Sequence, residues 1–240
     1  MRVTIAILLV ALPTGCASPS PRPAGVAPAI RLSATLVSPT DIRLRWTDRE
    51  QGIAGHIVEF ATAPNGKYTN LQFLPPRQTT YTHPDLIPQT PFYYRVRPYL
   101  GPVSRSIKIS LPKPDAKAAK NDHYRWAPPK VVRGKPVATH SVRTDAAAAA
   151  PTDLKGTAMH ADGIKFTWTD HASDEERYLL EAKPKGSTDF AVVAVLDPNV
   201  NTFGLITLPS EKTAEYRLRA YYYGTSSNLA HQTTGAGPPD

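Results

Sequence analysis

One cysteine in 240 residues excludes any intrachain disulfide, so any fold here stands on its core alone. Glycine is sparse at 14 residues, slightly below its usual share of about 7%, which excludes a collagen-type helix. No apolar run reaches the roughly 20 residues that cross a bilayer. No HExxH pair, GxSxG elbow or phosphate-cradling glycine loop occurs. Catalysis, a metal site, a cofactor and nucleic-acid binding are therefore not expected. Proline, by contrast, is abundant: 25 residues, about twice its usual share of about 5%, which predicts extended linkers joined to folded parts. The length predicts one or two domains. The charge of +8 is uneven: residues 28–111 carry net +5, residues 112–150 another +5, and residues 151–235 net −3.

The chain begins Met1-Arg2 and runs from Val3 to Leu12 with a single threonine. This run fits the apolar core of a secretory signal, which is removed. It ends in Leu12-Pro13-Thr14-Gly15-Cys16-Ala17-Ser18, which resembles a bacterial lipobox, where a small residue precedes a cysteine that is acylated (palmitate-type chains) and becomes the new N-terminus. The resemblance implies lipidation at Cys16; the alternative is ordinary cleavage after Ala17. Residues 1–16 form the signal segment and 17–27 a proline-alternating tether in extended polyproline form.

A repeat of 122 residues organises the rest. Trp46-Thr47-Asp48 recurs as Trp168-Thr169-Asp170, Glu59 as Glu181, Tyr68 as Phe190, and Tyr94-Arg95-Val96-Arg97 as Tyr216-Arg217-Leu218-Arg219. A period this long means two copies of a domain rather than a solenoid. Ile42-Arg43-Leu44-Arg45-Trp46 and Ile164-Lys165-Phe166-Thr167-Trp168 alternate apolar and polar, as half-buried strands do. His56–Phe60 and Tyr178–Glu181 read as further strands, and Asn65-Gly66 as a turn. Short strands spaced by turns over about 85 residues predict a two-sheet sandwich.

On these residues each copy resembles a fibronectin type III domain. A proline opens each copy (Pro28, Pro151), a tryptophan marks the second strand, and a Tyr-Arg-Val-like run ends the sixth. A Gly-x-x-Ser-like turn follows, at Gly101-Pro102-Val103-Ser104 and Gly224-Thr225-Ser226. The resemblance implies an all-β chain with two immunoglobulin-like sandwiches at 28–111 and 151–235, joined by a Pro/Ala/Lys-rich basic linker at 112–150 and followed by a tail at 236–240. It also implies a corner tyrosine two positions before each Tyr-Arg pair. Phe92 and Ala214 stand there, so both corners are expected to be held by packing alone.

The linker is expected to let the two sandwiches move independently, with an r.m.s. span of roughly 35 Å if disordered. Asp115 to Lys120 suits one or two helical turns. His123-Tyr124-Arg125-Trp126 sets aromatics beside cations, and Arg125, Trp126, Lys130, Arg133, Lys135 and Arg143 are candidate contacts for a polyanion or partner; the alternative is a patch folded onto its own domain edge. Asp170-His171 with Asp174-Glu175-Glu176 is the densest titratable cluster, read as a solvated loop rather than a calcium or acid–base site. Tyr221-Tyr222-Tyr223 reads as packing before it reads as a sugar platform.

These readings predict a non-catalytic binding or spacer lipoprotein of the bacterial cell envelope. Its partners would be the membrane, through the lipid, and anionic envelope polymers or another envelope protein. Ala17 after the cysteine, in place of an aspartate, favours the outer membrane; a secreted or periplasmic form is the alternative. A second reading is an accessory module of a polysaccharide-degrading or secretion complex.

Overall fold

A computed structural model of the chain describes residues 29–113 and 139–236. It is all-β. The first copy contributes β1 (Ile30–Leu36), β2 (Ile42–Asp48), β3 (Gly55–Ala61), β4 (Thr69–Leu74), β5 (Thr80–His83) and β6 (Pro91–Leu100). After β7 (Ile107–Ser110) and a single helical turn, α1 (Ala146–Ala149), the second copy contributes six more strands. These are β8 (Thr152–His160), β9 (Gly163–Thr169), β10 (Arg177–Pro184), β11 (Ala191–Leu196), β12 (Thr202–Ile206) and β13 (Thr213–Tyr223). β14 (Ala230–Thr233) follows.

Two three-stranded sheets, β1-β2-β5 and β12-β9-β8, each cover one half of a single eight-stranded sheet. That sheet runs β11-β10-β13-β6-β3-β4, with β7 added on β13 and β14 on β6. The alternation anticipated in β2 and β9 puts Ile42, Leu44 and Trp46 into one core, and Ile164, Phe166 and Trp168 into the other. Both tryptophans are nearly fully buried. Trp46→Ala or Trp168→Ala should lower stability by about 3–5 kcal/mol, read as a shift of the denaturant midpoint. A variant of unchanged stability would contradict their core role.

The last strand of each copy does not stay with that copy. β7 pairs with β13, with Thr213 opposite Ser110 and Tyr216 opposite Ile107, and Ile109 joins the second core. β14 pairs with β6, with Ala230 opposite Tyr94, and Ala230 joins the first core. This pairing cuts across the expected units 28–111 and 151–235. One sandwich is built from β1–β6 plus β14, and the other from β7 through β13, inserted between β6 and β14. The described residues on either side of 114–138 rest on the same sandwich: the Leu111 amide donates to the Lys212 carbonyl, and the His140 amide to the His171 carbonyl.

The first of the two crossing turns requires a glycine. Gly101, where the chain leaves β6 for the other copy, sits at φ 130, a positive-φ conformation that favours glycine. A Cβ at Gly101 would stand 2.1 Å from the Ala220 carbonyl oxygen, so only glycine permits this approach.

Independent motion of the two copies is also overturned. β6 and β13 pair directly, Leu100 with Tyr222 and Tyr99 with Tyr223. Leu100 and Tyr222 are repeat counterparts, so a pseudo-twofold axis passes between them, as in an isologous dimer interface. Around that axis Ile57, Leu179, Tyr99 and Tyr221 form a third buried cluster, with Phe73 and Tyr223 packed against it.

The second corner departs from its expectation as well. The Tyr216 hydroxyl donates to the Glu211 carbonyl at 2.5 Å, so this corner has a tyrosine pin, supplied by the Tyr-Arg pair itself. In the first corner the counterpart Tyr94 instead places its hydroxyl 3.1 Å from His83 Nδ1. Burial pushes the His83 imidazole below its ordinary value, favouring the neutral ring.

Candidate functional site

The junction is built from repeated residues used reciprocally. The Ser104 amide donates to the Leu218 carbonyl at 2.8 Å, while its Oγ accepts the Leu218 amide at 3.0 Å. Ser227 does the same to Val96, the repeat counterpart of Leu218, at 2.8 and 3.0 Å. Each Gly-x-x-Ser turn thus clamps the opposite copy's sixth strand. Asn228 follows with a two-sided side-chain pair: it accepts the Leu32 amide and donates to the Leu32 carbonyl, both at 2.9 Å.

A carboxylate flanked by arginines stands on each side of the junction. Glu59 accepts from Arg95 Nε at 2.5 Å, with Arg97 Nε at 3.7 Å. Glu181 accepts from Arg217 and, at 2.8 Å, from Arg219 Nε. Arg219 Nη1 also donates to the Gly101 carbonyl at 2.7 Å, tying the network to the crossing. The outer arginines lie over aromatic rings, Arg95 over Tyr68 at 4.2 Å and Arg217 over Phe190 at 3.8 Å. Both glutamates are buried and committed to arginine partners.

The Trp-Thr-Asp motif has a structural use. Asp48 Oδ2 lies 2.9 Å from His56 Nε2 and its Oδ1 caps the Glu50 amide. Asp170 accepts from the Tyr178 hydroxyl and from the Ala172 amide. Burial raises the Asp170 carboxyl above its ordinary value, and these two donors pull it back.

The titratable cluster in the second copy opens outward onto separate partners. His171 Nε2 meets Thr152 Oγ1 at 2.8 Å, Asp174 accepts from Ser141 Oγ and the Val142 amide, each at 2.7 Å, and Glu175 accepts the Asn199 amide. Burial raises the Glu175 carboxyl. Among the described residues no group of three ligating side chains converges. The loop instead anchors residues 139–150, whose Val142 and Ala149 enter the second core.

Of the candidate contacts, Arg143 alone lies among the described residues. It stacks on Tyr222 at 4.4 Å and reaches Glu176 at 3.8 Å, so it sits against its own sandwich. Cys16, the tether 17–27, the helical turn at Asp115, the aromatic run His123-Tyr124-Arg125-Trp126, and Lys130, Arg133 and Lys135 lie outside the described residues. Tyr221 is fully buried in the third cluster, so it presents no sugar platform.

The first copy also bears an exposed cationic patch. The outward face of β1-β2-β5 carries Arg31, Arg43 and Arg45 among Ser33, Thr35, Thr47, Thr80 and Thr82. Register places Arg45 between Ser33 and Thr80, and Arg43 between Thr35 and Thr82. Among the described residues none of the three arginines pairs with a carboxylate. The signal was the alternation Ile42-Arg43-Leu44-Arg45, whose polar members are cations at every outward position before Thr47.

No family model matches this chain, and no curated protein matches it. Among solved structures it is similar to a two fibronectin type III domain segment from chicken tenascin, at 13% identity and a TM-score of 0.25, over 85% of this chain and 97% of that one.

Proposed function

We propose that this chain is a non-catalytic binding or spacer lipoprotein of the bacterial cell envelope, acylated at Cys16 and held at the outer membrane. The observation that carries the reading is the position of its single cysteine, directly after a small residue at the end of a ten-residue apolar run. Two features of the folded part support a binding or spacing role. Its described titratable clusters are spent on structure, and its two sandwiches are fastened through one sheet, which suits holding a surface at a fixed attitude.

Several acyl chains, at about 0.8 kcal/mol per buried CH₂, give stable attachment. Cys16→Ser should therefore move the protein from the membrane pellet to the soluble fraction and abolish labelling by a palmitate analogue. A wild-type protein that is already soluble and starts at Ser18 overturns the anchor.

A further inference from the structure

We infer that the outward face of β1-β2-β5 is a second membrane contact, a flat cationic surface that lies on anionic lipid phosphates; this rests on the lipid-anchor reading above. Guanidinium groups set among hydroxyls are donors without acceptors of their own charge, and they match phosphate oxygens in geometry as well as charge. Arg43 and Arg45 stand two residues apart on the central strand, about 7 Å. Arg31 continues the row diagonally on β1, since its register partner is Thr47. The carboxylates at the two ends of β2 are turned to other work: Asp41, just before the strand, caps the Asp85 amide, and Asp48, its last residue, holds His56.

The second sandwich lacks this face. At the positions 122 residues on, Arg31 becomes Asp153, Arg43 becomes Lys165 and Arg45 becomes Thr167. Asp153 accepts from the hydroxyls of Thr152 and Thr169. The same fold position is therefore cationic in one copy and mixed in the other, so the sandwich architecture does not require the arginines.

Chain length argues for lipid as the occupant. Ile30 stands fourteen positions after Cys16, a reach of at most about 50 Å. Arg31 is the second residue of the strand on which that tether ends. An acylated Cys16 thus confines this sheet to the neighbourhood of a surface, where each cation contributes appreciably to attraction within a Debye length.

The test uses the chain beginning at Ala17, so that neither acyl chains nor apolar leader contribute; the described fold begins at residue 29 and loses no described contact. Co-sedimentation is measured with phosphatidylcholine vesicles, with and without phosphatidylglycerol, across a salt series. The expected result is binding only to the anionic vesicles, weakening as salt rises. It should fall about a hundredfold in Arg31→Ser/Arg43→Ser/Arg45→Ser and stay within twofold in Lys155→Ser/Lys165→Ser. Equal binding by wild type and the triple variant overturns the proposal, as does loss in both variants alike. Tighter binding to soluble dextran sulfate than to the vesicles overturns lipid as the occupant. The Cys16→Ser fractionation reads acylation separately, so failure of one leaves the other standing.

Discussion

A chain cut inside residues 114–138 should remain one particle. With a protease site inserted between Trp126 and Ala127 and fully cleaved, the two fragments are expected to co-elute in native size exclusion, at the position of the uncut protein. They should separate only in denaturant. The fragment ending at Trp126 carries β7, which completes the second sandwich by pairing with β13 and placing Ile109 in that core. The other fragment carries β14, which pairs with β6 and closes the first core with Ala230. Each fragment also brings half of the cluster of Ile57, Tyr99, Leu179 and Tyr221.

Two exchanged strands, the direct β6–β13 pairing and a shared apolar cluster should give a dissociation constant below about 1 μM, roughly 8 kcal/mol. Expressed alone, either fragment lacks a strand and exposes an unpaired sheet edge, so it should aggregate or stay unfolded. Co-expression should restore both. Two separate, folded, non-interacting fragments after cleavage would refute the strand exchange.

Each sandwich was legible in the sequence because its signals are local. Period-two alternation placed Trp46 and Trp168 inward, and the 122-residue repeat aligned Glu59 with Glu181 and the Tyr-Arg runs with each other. The exchange was not legible, because it is a choice between two chemically equivalent partners. β7 and β14 are short strands that follow corresponding turns, and each pairs with the sixth strand of the other copy. Six residues separate the strands at each crossing, and within them Ser104 and Ser227 bond equivalent backbone groups on the far copy. Those residues were visible as a family-like turn, but a turn motif does not say on which copy the next strand lands.

The arginine row is illegible in the sequence for a different reason. Arg43 and Arg45 reveal the strand period, and an outward polar residue is the ordinary expectation for a sheet face. Only the register, which sets hydroxyls rather than carboxylates beside them, makes the row unusual. The corner tyrosine was sought at Phe92 and Ala214, whereas the hydroxyl reaching back to Glu211 belongs to Tyr216, two residues later. Strand 213–223 begins directly after the 3₁₀ turn at Pro209–Glu211, which brings Tyr216 within reach of that carbonyl.

Removing the Glu181 carboxylate should be among the most damaging single changes on the outer face of the joined sheet. Its side chain is 3% exposed and that of Arg219 is 9% exposed, so both charges are out of water and neutralise each other there. Glu181→Ala strands Arg219 without a counter-charge, and stranding one member of a buried pair costs about 3–5 kcal/mol. That is a large part of the 5–15 kcal/mol expected for a domain. The counterpart change Glu59→Ala should cost less, about 1–2 kcal/mol, because the Arg95 and Arg97 side chains remain 29% and 27% exposed and can turn to solvent. The two positions are related by the repeat, so intrinsic propensity and strand position are matched, and the difference isolates burial of the arginine. Arg219 also donates to the Gly101 carbonyl across the crossing. Glu181→Ala should therefore loosen the junction as well, seen as faster amide exchange at Ser104 and Leu218 than at Ser227 and Val96. Replacing both members, Glu181→Leu with Arg219→Met, removes the stranded charge and should recover most of the loss in a double-mutant cycle. Equal costs at Glu59 and Glu181, or no recovery in the double variant, would show that the damage comes from lost packing rather than an unpaired buried charge.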